Sequence, residues 1–476
     1  MTETLTHIIS LVNDNFLGYI LMAALLAAGV YFTVASRFVQ FMKPKQILDL
    51  FSGKPDSFDK KGHISSFQAF AISTASRVGT GNIAGVAIAI TVGGPGAVFW
   101  MWLIAVIGAA SAFAESTLAQ VYKVKQGAHF RGGPAYYMQT ALGQRWMAVA
   151  FSIIITLTFA FVFNSVQSNT IAQSMAKSFS LDVGLTGVIL AALTAVIIFG
   201  GLKRIANFSA VIVPVFALGY IAVTLVVVLM NLDKVPGVFS AIFSDAFSWR
   251  NVAGGTLGAT IMTGARRGLF SNEAGMGSAP NAAATANISH PVKQGYVQAF
   301  SVFVDTLMIC SCTAFIVMLS DYRGLNMEGI ALTQSALAQS LGSFGEYFIS
   351  VSVLLFAFTS IIGNYYYGQA NVEFLTKNKA VMVLFRTLVA VMVFLGAVLQ
   401  LKLVWNMADL FMTVMALMNI TAILLLRKQV IAVLADFRKQ KDSGVKNPVF
   451  NPANVPGITK AYAWEKHPHK KADKHA

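Results

Sequence analysis

Charged residues are scarce in this sequence: they make up 12% of its 476 residues, whereas hydrophobic residues make up 56%. An average soluble domain is about 25% charged, and a soluble globule of this size could not hide so much apolar surface. The composition therefore predicts a multi-spanning membrane protein that lies in the lipid bilayer. The net charge of +15 does not indicate a nucleic-acid partner, because the basic residues fall in short loops and in the C-terminal tail.

Cysteine is almost absent as well. The two that occur, Cys310 and Cys312, lie two residues apart in an apolar run, where a helix points them in different directions. Neither a disulfide nor a zinc site is therefore expected. The sequence also lacks HExxH, GxSxG and GxxxxGK[ST], which argues against the common hydrolase sites and an ATP-driven pump. We expect no enzymatic activity and no organic cofactor.

Long apolar runs, by contrast, are abundant. Eleven of them reach the roughly 20 residues that a helix needs to span a bilayer, and they predict an all-α membrane protein with eleven transmembrane helices. They lie near residues 16–36, 64–91, 95–122, 146–176, 184–201, 205–231, 251–278, 294–319, 343–374, 380–400 and 403–426.

The basic residues predict the orientation of these helices. If the loop at 37–63 is cytoplasmic, that side of the membrane collects 26 Lys and Arg, whereas the other side holds five. The positive-inside rule then places the N-terminus outside and the C-terminus in the cytoplasm. The tail at 439–476 is polar and basic, so we expect it to be disordered and to contact anionic lipid.

Two glycine-rich stretches 190 residues apart share a pattern that an ordinary membrane helix does not contain. They are TASRVGTGNIAGVA at 74–87 and GARRGLFSNEAGMG at 264–277. Without gaps they match at five positions: Ala75 with Ala265, Arg77 with Arg267, Asn82 with Asn272, Ala84 with Ala274, and Gly85 with Gly275. Unwound backbone is tolerated at membrane depth only where it lines a cavity or lies buried in protein. Interrupted helices at corresponding places in two halves indicate the binding site of a secondary transporter.

The positions of the two stretches predict an inverted repeat. One leading helix would be followed by two sets of five helices, and an odd number per set makes the second set enter the membrane from the opposite side. The first helix of each set would be broken, with both breaks facing each other near the midplane. The corresponding division of the chain is 1–63 (leading helix and basic loop), 64–231 (first repeat), 232–426 (second repeat) and 427–476 (tail). At the same offset, Glu115 and Asp305 place a carboxylate in the second helix of each set.

Two other interpretations of the first stretch are weaker. Its spacing is GxGxxxG rather than the GxGxxG of dinucleotide-binding loops, and no βαβ unit surrounds it. Gly81 and Gly85 form a GxxxG pair that could serve helix packing alone, but the copy in the other half favours a break. A broken helix offers free N–H groups, here of Gly79, Thr80 and Gly81, to an anionic group such as a carboxylate. Its free carbonyls, at Ala75 and Val78, suit a small cation.

Four segments of the chain resemble the alanine/glycine:cation symporter family of bacteria and archaea. They are GTGNIAGVAIAI, GGPGAVFWMW, GGPAYYM and FSNEAGMGSAP, and the resemblance extends from about Ile64 to Leu426. It implies a leucine-transporter-like fold and cotransport of a small neutral amino acid with Na⁺ or, in some members, H⁺. It also implies a sodium site between the first broken helix and the eighth core helix, at 345–369.

The resemblance assigns candidate binding residues. The sodium ligands would be the carbonyls of Ala75, Val78 and Phe356 and the hydroxyls of Thr359 and Ser360, although these hydroxyls could instead bond back to their own helix. The third core helix presents a polar stripe that points into the bundle; it could contact the substrate or only join helices. The substrate-binding set is Gly79, Thr80, Gly81, Asn82, Phe163, Gln167, Phe270 and Asn272.

Intramembrane charges complete the prediction. An unpaired charge at membrane depth costs at least about 2.5–3.5 kcal/mol, so we expect Arg–carboxylate pairs with a structural or gating role. The residues concerned are Arg77, Glu115, Arg266, Arg267, Glu273 and Asp305. Alternatively, Glu273 or Glu115 carries a proton.

The functional prediction is uptake of a small neutral amino acid, such as alanine or glycine, with Na⁺ by alternating access. The alternatives are coupling to H⁺ or a larger substrate such as glutamine. A channel is disfavoured, because the polar residues form a compact site and no carbonyl-ring filter is present.

Overall fold

The structure is a computed structural model that describes residues 13, 17–41, 46, 47, 50, 64–126, 129–200, 202–248 and 256–465. Most of the predicted basic loop at 37–63 and the last residues of the tail lie outside these ranges. The regular secondary structure of the described chain is helical apart from an isolated bridge and one two-stranded antiparallel hairpin, in which Val124 pairs with Arg131. The predicted fold class, an all-α membrane protein, is confirmed.

The helices follow the predicted apolar runs. In chain order they are α1 (Gly18–Ala35), α2 (Ser66–Arg77), α3 (Gly81–Gly93), α4 (Gly96–Val121), α5 (Pro134–Thr140), α6 (Arg145–Phe179), α7 (Val183–Ile198), α8 (Leu202–Met230), α9 (Val235–Ala246), α10 (Thr256–Asn272), α11 (Ala279–Ala283), α12 (Val292–Met318), α13 (Tyr322–Leu325), α14 (Gly329–Leu341), α15 (Ser343–Leu375), α16 (Lys379–Val398), α17 (Leu401–Leu425), α18 (Arg427–Asp442) and α19 (Tyr462–Glu465). The hairpin strands are β1 (Val124–Gln126) and β2 (His129–Arg131).

Eight of the described helices are long and apolar enough to cross a membrane, and the bent pair α2 and α3 makes a ninth span if counted as one. The helix α7, with 16 residues, and the helix α10, with 17, are shorter than those eight. Each of the eleven predicted runs contains a helix, but the count of eleven spans stays a prediction.

Burial separates an inner and an outer set of helices. In α4 and α15, 67% of the apolar window is buried, whereas in α8 and α16 only 22% and 28% are buried. Exposed Leu218, Leu225 and Leu229 on α8 form an apolar surface that suits lipid. The inner helices therefore hold the polar side chains, and α8 and α16 shield them.

Helix ends follow from local sequence. Ser65 and Gln68 form a capping box at the start of α2, with each side chain bound to the other's backbone N–H. After α3, Gly94 has φ +77°, a left-handed conformation that ends the helix and turns the chain into α4. The carboxylate of Asp245 accepts from the Gly96 N–H (2.8 Å) and so caps α4 from a distant segment.

The expectation of a disordered tail is wrong for its described part, up to residue 465. Phe450, Val455, Ile458 and Ala461 are buried. The Phe450 N–H donates to the carbonyl of Ser289 (2.9 Å). The few apolar side chains among the basic residues are enough to dock this segment.

Candidate functional site

The first helix break lies between α2 and α3. Helix α2 ends at Arg77, Val78 is extended (φ −77°, ψ 92°), and α3 begins with a π-helical turn over Gly81–Gly85. The axes of the two helices differ by 51°. A Cβ at position 79 would lie 2.3 Å from Ser360 Oγ, so any side chain there would displace the Ser360 hydroxyl. The predicted interruption of this span is confirmed.

Backbone amides at the first break point at side-chain oxygens. The Gly79 N–H donates to Oδ1 of Asn82 (2.9 Å), and the Thr80 N–H donates to Oε1 of Gln167 on α6 (3.0 Å). Asn82 in turn donates to the carboxylate of Asp305 on α12 (2.7 Å). Two adjacent N–H groups that hold two carbonyl oxygens have the geometry to hold the two oxygens of a carboxylate.

The second break lies between α10 and α11. Three residues have left-handed backbones, Glu273 (φ 55°), Gly275 (φ 83°) and Gly277 (φ 84°), so the chain cannot continue as a helix. The carboxylate of Glu115 accepts from the N–H groups of Gly275 (3.3 Å) and Gly277 (3.0 Å). A buried acid on α4 therefore satisfies the amides that this break exposes.

The hydroxyl of Ser360 brings the carbonyls of Ala75, Val78 and Phe356 together at the first break, whereas the Thr359 hydroxyl bonds back to its own helix. The Oγ of Ser360 lies 2.8 Å from the carbonyl oxygen of Ala75, 3.2 Å from that of Val78 and 3.0 Å from that of Phe356. The hydroxyl of Thr359 donates to the carbonyl of Phe356 (2.8 Å). All five residues are buried. A cluster of neutral carbonyl and hydroxyl oxygens at an unwound helix suits Na⁺.

Ser76 connects both breaks to α15. Its Oγ lies 2.7 Å from Oε1 of Glu273 and 2.6 Å from Oδ1 of Asn364. The other carboxylate oxygen of Glu273 accepts from the hydroxyl of Ser278 beyond the second break (2.6 Å). Ser76, which lies between Ala75 and Val78 in sequence, therefore links the first break directly to Glu273 of the second break.

Aromatic rings cover the first break from one side. The ring centroids of Phe163 and Phe270 are 4.5 Å apart, and those of Phe270 and Trp405 are 4.7 Å apart. A Cβ at Gly81 would meet the Phe270 ring at 2.9 Å, so this ring lies against the backbone. The structure thus brings the first break together with Phe163, Phe270 and Gln167 of the predicted substrate set.

Asn272 lies deeper in the second break. Its Oδ1 accepts from the Ala274 N–H (3.0 Å), and its Nδ2 donates to the hydroxyl of Thr306 (3.2 Å). Both bonds hold the break itself in place. Direct contact between Asn272 and a substrate stays a prediction.

Arg267 is the member of the predicted ion-pair set for which the described residues show an ion pair. Arg267 forms a buried pair with Asp409 of α17. Arg266 donates to the backbone carbonyl of Asn13.

For Arg77 the expectation of a paired carboxylate is wrong within the described chain. Its guanidinium donates to Oε1 of Gln298 (3.2 Å). It attracts three buried carboxylates at longer range, those of Glu115, Glu273 and Asp305. Each of these acids accepts hydrogen bonds from neutral groups, so its oxygens are satisfied without a direct arginine contact.

Sequence reasoning missed three residues of α17, namely Trp405, Asp409 and Asn419. Asp409 pairs with Arg267, and the indole of Trp405 lies under the same guanidinium, with Arg267 Cζ 4.6 Å from its centroid. The sequence did contain a signal for Asp409, because an acidic residue within an apolar run suggests a functional site. Asn364 was also missed, and Asn419 donates to Glu115 (2.6 Å) and to the carbonyl of Gly275 (2.9 Å).

Known sequences match this chain over nearly its whole length. The profile of the sodium:alanine symporter family matches residues 2–452. A protein named probable sodium/glutamine symporter GlnT, from Bacillus subtilis (strain 168), is 51% identical over 94% of this chain and 94% of its own length. The sodium/alanine symporter AgcS of Methanococcus maripaludis is 35% identical over 92% of this chain and 99% of its own length. A sodium/proton-dependent alanine carrier protein of Bacillus sp. (strain PS3) is 37% identical over 84% and 94%, respectively.

A solved structure shares the fold. The crystal structure of MhsT in complex with L-phenylalanine has a TM-score of 0.57 at 14% sequence identity, and the match covers 79% of this chain and 93% of MhsT. At this identity the likeness concerns the arrangement of helices alone.

Proposed function

This chain belongs to the sodium:alanine symporter family, and we propose on that basis that it carries a small neutral amino acid into a prokaryotic cell together with Na⁺. It is a secondary transporter of the plasma membrane and not an enzyme. The observation that carries the proposal is the convergence of Ser360 on the carbonyls of Ala75, Val78 and Phe356. These oxygens, with the Thr359 hydroxyl, would bind the sodium ion.

The amino acid would bind beside the sodium. Its carboxylate would accept from the N–H groups of Gly79 and Thr80, which already hold two carbonyl oxygens. Phe163 and Phe270 would form the apolar wall, and a wall of two rings favours a small side chain such as that of alanine or glycine. Glutamine is the second candidate, because the relative with 51% identity is named a sodium/glutamine symporter.

We propose the finer architecture as well. The chain would cross the membrane eleven times, as a leading helix in 1–63 and two inverted sets of five helices in 64–231 and 232–426. The N-terminus would lie outside and the tail at 427–476 in the cytoplasm, as the distribution of Lys and Arg predicts. The broken pairs α2–α3 and α10–α11 would rock against a scaffold to give alternating access. Arg267 and Asp409 would then close the outer entrance.

Coupling follows from the shared position of the two binding sites. Sodium and substrate would both contact the residues from 75 to 80, so each would stabilise the same conformation of the break. Differential binding of this kind makes the affinity for one depend on the other, reciprocally.

The test is uptake of labelled amino acid into proteoliposomes under an imposed Na⁺ gradient, with K⁺ replacing Na⁺ as the control. We expect accumulation of alanine or glutamine that requires Na⁺. The ratio of the alanine uptake rate to the glutamine uptake rate identifies the preferred substrate. Accumulation driven by a pH gradient and indifferent to Na⁺ would contradict sodium coupling. That result would point to Glu273 or Glu115 as a proton carrier.

Gly79→Ala is expected to raise the sodium concentration for half-maximal uptake about tenfold, which corresponds to about 1.4 kcal/mol. The new Cβ would lie 2.3 Å from Ser360 Oγ and 2.8 Å from Gln167 Oε1, so the hydroxyl must move. Gly219→Ala on α8 is the matched control, because a Cβ there has no neighbour within 4 Å. A sodium dependence of Gly79→Ala equal to that of the control would argue against the site.

A further inference from the structure

The C-terminal part of the chain folds back over one end of the helix bundle. We use the name C-terminal strap for residues 427–465, which comprise α18, a linking segment and the short helix α19. Tyr122 at the end of α4 donates to Oε1 of Gln429 (2.7 Å), and Arg438 donates to the carbonyl of Ser36 after α1 (2.6 Å). The strap therefore joins the ends of α4 and α1, which the predicted orientation places in the cytoplasm.

A first anchor of the strap lies on the segment between α11 and α12. Nε2 of the fully buried His290 lies 3.1 Å from Oδ2 of Asp436 on α18, and the imidazole is flanked by the rings of Phe437 (5.0 Å) and Phe450 (5.4 Å). The hydroxyl of Ser289 donates to the carbonyl of Pro448 (2.8 Å). These contacts tie the strap to the chain that directly follows the second broken helix.

A second anchor lies at the end of α4. The indole N–H of Trp464 donates to the carbonyl of Gln120 (2.9 Å), and its ring lies 4.8 Å from Nζ of Lys123. Lys123 is itself buried and donates to Oε1 of Gln120 (2.7 Å) and to the carbonyl of Ala286 (2.9 Å). The strap thus covers a lysine that holds α4 to the segment after α11.

The same segment also holds the start of the first broken helix. Ile64 pairs with Ala286 in a parallel bridge, and the Asn287 N–H donates to the carbonyl of Ile64 (3.0 Å). Residues 284–290 are therefore bound on one side to the entry of α2 and on the other side to the strap. If α2 separates from α11 at this end, the contacts of residues 284–290 with Ile64 must break, or these residues must move together with α2.

We propose that the C-terminal strap is a regulatory latch that holds the cytoplasmic ends of the two broken helices together and detaches before the amino acid and Na⁺ leave to the cytoplasm. The proposal rests on the proposed function and orientation. The strap's contacts help to hold the segment after α11 against the entry of α2, so they stabilise this arrangement over one in which the two separate. Opening steps of this kind limit the turnover of many transport and enzyme cycles.

The chemistry of both anchors makes the latch sensitive to cytoplasmic pH. Burial lowers the pKa of Lys123 to about 7, and it lowers the pKa of His290 although Asp436 opposes this shift. The charged groups that act on His290 are Asp436 of α18 and Lys293 of α12, whereas burial alone acts on Lys123. Lys123 and His290, which the docked strap covers, bind protons better once the strap is released, so acid favours release.

The experiment compares initial rates of sodium-driven uptake for wild type, Trp464→Ala and a chain that ends at Asp442. We expect both variants to transport about three- to tenfold faster, and we expect wild type to accelerate when internal pH falls from about 8 to about 6. The truncated chain keeps Asp436 but lacks Trp464, so it should lose the part of that pH response that comes from Lys123. Tyr462→Ala is the matched control, since this aromatic residue on the same helix is half exposed.

Hydrogen–deuterium exchange of the purified protein in lipid nanodiscs provides a readout that does not depend on transport. Trp464→Ala should increase exchange across residues 284–292 relative to Tyr462→Ala. Equal exchange in both variants, or faster exchange with unchanged transport rates and pH response, overturns the latch. If wild type accumulates no amino acid with Na⁺, the proposed function fails, and the exchange comparison alone decides whether the strap holds this segment.

Discussion

Ser360→Ala is expected to weaken sodium activation of uptake by about tenfold to 150-fold. Its hydroxyl contacts the carbonyls of Ala75, Val78 and Phe356 at 2.8–3.2 Å, so it would be a ligand shared between α15 and the first break. A hydrogen bond or ligand contact to a charged group contributes about 1.5–3 kcal/mol, which sets the range. Thr359→Ala should act in the same direction and less strongly, because the Thr359 hydroxyl contacts only the Phe356 carbonyl.

The measurement is the sodium concentration for half-maximal uptake at saturating amino acid. Ser352→Ala is the matched control, since this serine is buried on the same face of α15, about two turns from Ser360. Because sodium and substrate would stabilise the same break, the apparent KM for the amino acid at low sodium should rise in Ser360→Ala and fall back as sodium is raised. If Ser360→Ala and Ser352→Ala have the same sodium dependence, the oxygen cluster at Ser360 does not bind the coupling ion.

Arg267→Ala is expected to abolish uptake and to destabilise the protein by about 3–5 kcal/mol, the usual effect of leaving one charge of a buried pair uncompensated. The partner left behind is Asp409, which is 7% exposed. Thermal unfolding in detergent and uptake in proteoliposomes measure the two effects separately. Asp409→Asn should lower stability in the same direction.

A double variant separates stability from gating. In Arg267→Met with Asp409→Leu, neither charge remains, and apolar side chains of similar size commonly replace a buried pair without loss of stability. We expect this variant to unfold near the wild-type temperature and still to transport poorly, because the attraction that closes the entrance is missing. Transport at the wild-type rate would show that the pair serves folding alone.

The breaks could be predicted from sequence because their signals are local, whereas the meeting of Ser360 with the first break was expected only from the resemblance to a known family. Glycine at 79, 81 and 85 and the repeat at 264–277 indicate unwound backbone wherever the rest of the chain goes. The pairing of charges could not be predicted, because it depends on which helices meet in space. Arg77 matched Arg267 in sequence, yet one donates to Gln298 and the other pairs with Asp409, since different helices pack against the two breaks.

The tail illustrates the limit of composition as a guide. Residues 439–465 are mostly polar and basic, which predicts disorder. A few apolar side chains nevertheless pack against the helix bundle. Phe450 contacts His290, and Trp464 contacts Lys123. That surface is built by segments more than 150 residues away along the chain, so no window of the tail sequence contains it.

The length of α15 has an electrical consequence. This helix has 33 residues, or about 50 Å, against a hydrocarbon thickness of about 30 Å, and Thr359 lies at its midpoint. An ion that enters from outside and stops at the midpoint crosses about half of the membrane potential, which is worth about 1.2 kcal/mol at 100 mV. Membrane voltage would then concentrate Na⁺ at Thr359 and Ser360 roughly sevenfold before any helix moves. The resting potential of the cell would thus raise the apparent affinity for Na⁺ at Thr359 and Ser360.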